Sequence, residues 1–308
     1  MHQDNANLIA GRLATAFGLF LLSCSVSTYS FSRNFEGGIS QEFWHYAEIG
    51  RNILEGRGYR TASLFPYTLA LLDEKGIPFE EDTLAPVLDR FPLQAYLTAG
   101  AQKIWGIDDT APSVLSVLLL GLCVVATYLA GCLLGIPLES AAAAALLALN
   151  PSFQRGFVLW GLPDFGFCLA TLLALLSLCG RMAKNEPRDR PSYWLMTGAL
   201  SALAWLSRSN FILWLPLFAA ALWIPRAGRK TRFIYYFAGF CSLCAPAWVY
   251  NLRWYGSINP PTMAWNLAHQ VVSETYPLWE YRTYQVTDVI ISHFPALMQK
   301  FFVLLTRH

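Results

Sequence analysis

The sequence predicts an all-α polytopic membrane protein of about seven transmembrane helices with one structured extracytoplasmic loop. Three observations predict it. Of 308 residues, 55% are hydrophobic and only 14% are charged, where soluble chains carry about 25% charged residues. Residues 13–32, 110–138, 165–180, 191–207, 209–225 and 233–252 contain no Asp, Glu, Lys or Arg, and a weaker Ala-rich run covers 140–154. Of the 20 acidic residues, ten lie within 31–91 (Glu36, Glu42, Glu48, Glu55, Asp73, Glu74, Glu80, Glu81, Asp82, Asp89), so charge is concentrated in a single polar loop. A spanning helix needs roughly 17–25 mostly apolar residues, which each run meets or approaches. A net charge of +2 without blocks of consecutive basic residues gives no sign of nucleic-acid binding.

The first run, 13–32, lacks a small-x-small cleavage site and is followed by aromatic residues, so a retained anchor is expected. Orientation follows from two short basic loops, 181–190 (Arg181, Lys184, Arg188, Arg190) and 226–232 (Arg226, Arg229, Lys230, Arg232), which belong in the cytoplasm by the positive-inside rule. Two runs lie between them, so 207–210 turns on the outside. Counting back, 165–180 descends, the Ala-rich run ascends and 113–134 descends, which places 151–164 and 31–91 outside. That parity requires 92–106, with Gln94, Gln102 and Lys103 among its 15 residues, to lie along the interface as an amphipathic helix rather than cross. The last ascent, 233–250, leaves 251–285 outside as the start of a second outer loop. Residues 286–305 fit either an amphipathic helix or a further crossing. All 308 residues are expected to form a single transmembrane domain.

Within the outer loop, apolar positions 43, 46, 47, 50, 53 and 54 recur at helical spacing, with Ser40 as N-cap and Gly56 as the stop. Glu42 then falls in the first turn, where the helix dipole favours an ionised carboxylate. All seven cysteines lie in apolar segments, so no disulfide framework is expected, and the Cys241/Cys244 pair reads as packing.

Several segments resemble a known family. Glu42 four places before Tyr46, then Ala47-x-x-Gly50-x-Asn52-Ile53-Leu54-x-Gly56-x-Gly58-Tyr59, is similar to the first outer loop of GT-C glycosyltransferases. These include protein O-mannosyltransferases, lipid A aminoarabinose transferases and Rgt-type lipopolysaccharide transferases. Arg90-Phe91-Pro92-Leu93 resembles the family's Arg-x-Pro-Pro-Leu segment, with a helix after it ending at Trp105-Gly106. Leu149-Asn150-Pro151 with Asp164 downstream looks like its second outer loop. Residues 198–216 are similar to its Gly-x-x-x-Gly-Leu-Ala-x-Leu-Thr-Arg helix pair, and Ala247-Trp248-Val249-Tyr250-Asn251 with Gly256 to its Trp-x-x-Arg-Asn…Gly junction. The resemblance runs over residues 20–302. Two departures stand out: Glu42 occupies the place of the family's Asp, and the chain stops soon after the seventh run.

The resemblance implies a polyprenyl-phosphate sugar as donor and a hydroxyl on a lipid, glycan or protein as acceptor, in a bacterial inner membrane. A phosphate leaves without protonation, so one carboxylate suffices to orient or deprotonate the acceptor. Cationic side chains must hold the lipid phosphate. Glu42 is the candidate carboxylate, against its plain reading as a helix N-terminal residue. Asp164 is the second, against a reading as an N-cap. The two are also the candidate ligands of a divalent cation, magnesium or manganese. His45 and Tyr46, on the Glu42 helix, are candidates for substrate contact, although His45 beside Trp44 also fits packing. Arg90, Arg155, Arg208 and Arg253 all fall at outer helix ends and are candidate phosphate ligands, with His269 in the following outer segment. Any one arginine there is accounted for by snorkelling; four on the outer side, against the positive-inside trend, are not. The alternative is a non-catalytic protein: a degenerate homologue, a lipid-linked-sugar binder or a transporter component. A transporter would carry ionisable residues at mid-membrane, whereas these runs are clean.

Overall fold

A computed structural model describes residues 2–37, 40–78, 84–108, 110–159, 161–183, 191–208, 229–258, 262–272 and 279–306, with positions 211, 214, 218, 219 and 222. Its described residues are overwhelmingly helical, as expected. The helices are α1 (His2–Asn34), α2 (Gln41–Leu54), α3 (Pro66–Glu74), α4 (Pro92–Trp105), α5 (Ala111–Leu134), α6 (Pro137–Leu149), α7 (Asp164–Ala183), α8 (Pro191–Ser207), α9 (Arg229–Tyr255), α10 (Thr262–Val271) and α11 (Val286–Thr306). A π-helical turn, Phe153–Val158, follows α6. The one β element among the described residues is an antiparallel ribbon of β1 (Arg60–Thr61) on β2 (Ala85–Pro86), with Arg60 opposite Pro86.

Among the described residues, three helical stretches are long and apolar enough to cross a membrane: Asn7–Asn34, Ala111–Leu134 and Thr231–Tyr255. Pro137–Leu149 and Asp164–Leu178 are shorter apolar helices. Leu8, Leu13, Phe17 and Leu21 on α1, Leu133 and Leu134 on α5, Leu138 and Leu146 on α6, and Ile234 and Val249 on α9 are all exposed. Exposure of so many large apolar side chains on these four helices is tolerable in lipid and not in water. The chain is an integral membrane protein in which α1 starts well before residue 13 and α5 fills the 110–138 run as far as Leu134. Gly135, at φ +81°, caps α5 and lets the chain turn into α6, where Ser140 packs against Gly131. The run 209–225 lies largely outside the described residues.

The chain sorts into two compact units: residues 1–54 with 91–245, and residues 55–90 with 246–308. The polar loop of 31–91 is thereby divided, its first helix belonging to the larger unit. The core of the larger unit gathers Leu115, Leu119, Leu120, Val124 and Tyr128 of α5 against α1, α6, Val158 and Phe165. Helix α4 corrects the expectation of a helix lying on the surface. Gln94, Ala95, Thr98, Ala99, Ala101 and Gln102 are buried, and α4 packs against α2, α5 and α8. Only Tyr96, Ile104 and Trp105, among its large apolar side chains, are exposed.

Helices α8 and α9 touch backbone to backbone. A Cβ on Gly198 would lie 1.9 Å from the Tyr236 carbonyl oxygen, and one on Gly239 would lie 2.0 Å from that of Leu195. Small residues permit such crossings in lipid. Gly198→Ala is expected to destabilise by at least the roughly 1–3 kcal/mol of ordinary overpacking, because no rotamer can relieve a clash with backbone. A lowered thermal midpoint in detergent checks this. Gly100→Ala, where nothing lies within 4 Å, is the helix-favouring control. Equal midpoints for the two variants would show that the crossing is loose.

In the smaller unit, Tyr67, Leu71, Leu72 and Leu88 pack with Tyr255, Trp265, Ala268, Tyr284 and Val289. Helix α10 lies on α11. Helix α11 is kinked at His293, two residues before Pro295, which cannot donate to the ladder.

Candidate functional site

The site starts at the beginning of α2. The Phe43 amide donates to Ser40 Oγ at 3.0 Å, so Ser40 caps the helix as its sequence position predicts. Glu42 sits half-buried in the first turn, while Phe43, His45, Tyr46 and Ile49 point inward. Helix α4 fixes this helix in place. Gln102 Nε2 donates to the Ala47 carbonyl at 2.9 Å, and Gly50 allows the approach, since a Cβ there would lie 2.7 Å from Gln102 Oε1 and 3.1 Å from the Ala99 amide.

The same α4 holds the segment leading to Asp164. Gln94 Nε2 donates to the Gly161 carbonyl at 3.2 Å. Gly161 adopts φ +59°, and a Cβ on it would lie 2.9 Å from the Phe43 ring; both conditions call for glycine. Phe43 next to Glu42 therefore packs on the turn three residues before Asp164, which brings the two carboxylates near one another.

The third group comes from the α7–α8 hairpin. These helices are antiparallel partners, joined by the Ser177–Thr197 hydroxyl pair at 2.5 Å and by Tyr193 OH donating to the Ser177 carbonyl. The start of α7 thus meets the end of α8. Arg208 Nη2 donates to Asp164 Oδ2 at 2.7 Å, the side chains 32% and 27% exposed. The Arg208 Nε–H is buried and has no acceptor among the described residues, an orphan donor of a kind native interiors rarely leave.

Asp164 precedes the uncharged run 165–180 and stands at its edge. Burial pushes its carboxyl above the ordinary carboxylate range. The Arg208 guanidinium pulls it back down, and the nearby Glu42 charge pushes it up again. A pair of carboxylates beside one guanidinium with a spare buried donor is suited to holding an anion against a base.

The structure brings Glu42, Asp164 and Arg208 together, and distributes the other sequence candidates elsewhere. His45 and Tyr46 are each 2% exposed, on the packed face of α2. Arg155 is exposed on the π-helical turn. Arg90 is buried in the smaller unit, 3.4 Å from Asp89 Oδ2 and 5.4 Å above the Phe65 ring. Arg253 is exposed, 5.2 Å over the Trp254 ring, and His269 is exposed on α10; both belong to the smaller unit. Sequence reasoning missed Gln94, Gln102, Phe43 and Gly161, which set the geometry. Two amides in a mostly apolar 14-residue helix are the available signal, and composition reads them as polarity rather than as buried donors. Among the described residues no group of three or more His, Cys, Asp and Glu side chains forms a metal cage.

Residues 89–250, more than half of the chain, match the family described as dolichyl-phosphate-mannose-protein mannosyltransferase. The matched stretch contains Asp164 and Arg208, while Glu42 precedes it. No curated protein and no solved structure matches the chain. The helical membrane architecture, the carboxylate–guanidinium cluster and the family match agree: the chain belongs to the dolichyl-phosphate-mannose-protein mannosyltransferase family and is a membrane glycosyltransferase of the GT-C type.

Proposed function

We propose that this transferase moves a sugar from a polyprenyl-phosphate donor to a hydroxyl of a lipid, glycan or protein at the outer face of a bacterial inner membrane. The observation that carries the reading is the Asp164–Arg208 ion pair with the Glu42 charge beside it. Glu42 takes the proton of the acceptor hydroxyl as its oxygen attacks the anomeric carbon. The bond from that carbon to the phosphate oxygen breaks, and its electron pair leaves with the lipid phosphate. Arg208 receives that charge, its orphan Nε–H supplying a donor where negative charge accumulates. Asp164 holds the guanidinium in position. Oriented donors of this kind are worth most where water is excluded.

A divalent cation fits the donor set in one way. Magnesium is commonly held by one or two carboxylates with phosphate and water filling the rest of its shell, and Glu42 and Asp164 would be its protein ligands. It would supply charge neutralisation to the donor phosphate. A cation requiring an all-protein cage has no such set among the described residues.

About seven crossings, with the two carboxylates outside, is the topology this chemistry needs. The antiparallel α7–α8 pair supports it by placing Asp164 and Arg208 at one end. Single cysteines at Gly76 and Gly156 are expected to react with an impermeant maleimide on intact cells. Labelling confined to lysed cells would overturn the orientation. For the reaction itself, membranes holding the chain should transfer radiolabel from a polyprenyl-phosphate sugar and not from a nucleotide sugar. Absence of transfer from every polyprenyl-phosphate donor would favour a degenerate homologue.

A further inference from the structure

A cleft of about 440 Å³ lies wholly within the smaller unit. Residues 57–60 line it together with one stripe of α9: Pro246, Val249, Tyr250, Arg253 and Trp254. Steps of three, one, three and one residues place all five on a single face of the helix. Over its length the stripe advances about 12 Å along the helix axis. It begins with the apolar side chains of Pro246 and Val249 and ends with the guanidinium of Arg253 beside Trp254.

The stripe belongs to the apolar stretch Thr231–Tyr255, and Val249 and Leu252 on it or beside it are 64% and 48% exposed. A crossing α9 therefore turns Val249 toward lipid hydrocarbon. It brings Arg253, in its last turn, to a membrane surface, the level at which Tyr and Trp also settle. The two linings are fastened to one another. Tyr250 OH donates to the Tyr59 carbonyl at 2.9 Å, and the two rings meet edge to face at 5.3 Å. Tyr59 OH in turn donates to the Arg90 carbonyl at 2.9 Å. Arg57 pairs with Glu55. Arg253 lies 5.2 Å over the Trp254 ring, a contact that orients a guanidinium without neutralising it.

We propose that this cleft holds one anionic phospholipid of the surrounding bilayer, its headgroup phosphate on Arg253 and the upper part of an acyl chain along Val249 and Pro246. The order of the stripe, apolar and then cationic along a helix that enters the membrane, is the order of such a lipid from chain to headgroup. A guanidinium takes a phosphate by two parallel N–H donors. A mostly apolar lining beside one cation suits a lipid and would be wasted on a soluble anion. A zwitterionic headgroup is the poorer match, because its ammonium would stand near the guanidinium. The transfer chemistry gives the donor's phosphate to Arg208 in the larger unit, so this site takes a lipid of the bilayer itself and stands whether or not sugar is transferred.

Native mass spectrometry of the full chain in detergent tests the site, with phosphatidylglycerol, phosphatidylcholine, glycerol phosphate and undecaprenyl phosphate as probes. One phosphatidylglycerol should be retained at a lower concentration than phosphatidylcholine, and glycerol phosphate should not be retained at that concentration. Arg253→Gln should weaken phosphatidylglycerol roughly 10–100-fold, the loss of one charged hydrogen bond, and Arg253→Lys should restore part of that loss. Val249→Asn should weaken both phospholipids, because it sets a polar group against the acyl chain. Arg33 is the control: it is exposed in the last turn of α1, 5.7 Å over the Tyr29 ring, and Arg33→Gln should leave retention unchanged. Equal weakening by Arg33→Gln would show lipid gathering at any cation near a helix end and would overturn the site. Phosphatidylcholine held as tightly as phosphatidylglycerol, or wild-type retention in Arg253→Gln, would overturn it as well. Undecaprenyl phosphate held more tightly than phosphatidylglycerol, and released by Arg253→Gln, would overturn the choice of a bilayer lipid. Should Arg253→Gln fail to fold, unchanged retention in both Arg253→Lys and Val249→Asn would overturn the proposal.

Discussion

Glu42→Gln is expected to reduce sugar transfer by roughly 10²–10⁴-fold, the usual contribution of a positioned general base, while the protein still inserts and folds. The change keeps the side chain's shape and removes one charge. Nothing that holds α2 depends on that charge: the Ser40 cap binds the Phe43 amide, Phe43 packs on Gly161, and Gln102 binds the Ala47 carbonyl. The expected phenotype is thus a fall in kcat with an unaltered melting profile. Glu42→Asp should retain activity to the extent that α2 can be approached by the acceptor, since it restores the acid of the related family loop at one methylene shorter reach. Initial rates with a radiolabelled polyprenyl-phosphate sugar decide the matter. A glutamine variant working at the wild-type rate would reduce Glu42 to a helix N-terminal residue.

How far the sequence reaches is seen best by comparing two helices. Helix α2 was legible in full: apolar spacing, Ser40 and Gly56 mark its face and its ends, and the structure runs from Gln41 to Leu54 with Gly56 at φ +74°. Helix α4 was legible as a helix and misread as a surface one. Its glutamines looked like solvent-facing polarity, yet both are nearly fully buried because each has a backbone carbonyl to satisfy on another element. Composition records that a residue is polar; only tertiary structure records whether a partner waits for it.

The arginines carry the same lesson. Position alone put Arg90, Arg155, Arg208 and Arg253 at outer helix ends, and nothing in one sequence separates them. The α7–α8 hairpin selects Arg208, because antiparallel packing through Ser177 and Thr197 returns the end of α8 to the start of α7. Arg90 lies in the other unit, beside Asp89 and the Phe65 ring. The division into two units was not legible either, since each is assembled from two separated stretches of chain. Hydropathy is a local quantity and does not report long-range closure.

Arg208→Gln should be nearly as damaging as the loss of Glu42, by about 10²–10³-fold in kcat/KM, the range found when one preorganised donor to a developing anion is removed. It also carries a signature that simple misfolding lacks. The Asp164 carboxyl already stands above the ordinary range through burial, and Arg208 is the group that restrains it. Removing the guanidinium lets the carboxyl rise further, so Asp164 ionises only at higher pH. If ionised Asp164 anchors the site, activity is present above its raised pKa and is lost as pH falls through it. The acidic limb of the wild-type profile should then lie above the roughly pH 4 of an ordinary aspartate, and residual activity in Arg208→Gln should show that limb displaced to higher pH. Glu42→Gln should displace it the other way, because the Glu42 charge raises the same carboxyl. Arg208→Lys keeps the charge and loses the fork, so its limb should stay near the wild-type position while its rate falls. A limb that stays in place when Arg208 becomes glutamine would show that Asp164 does not govern the reaction, and the ion pair would then be only a clasp between α7 and α8.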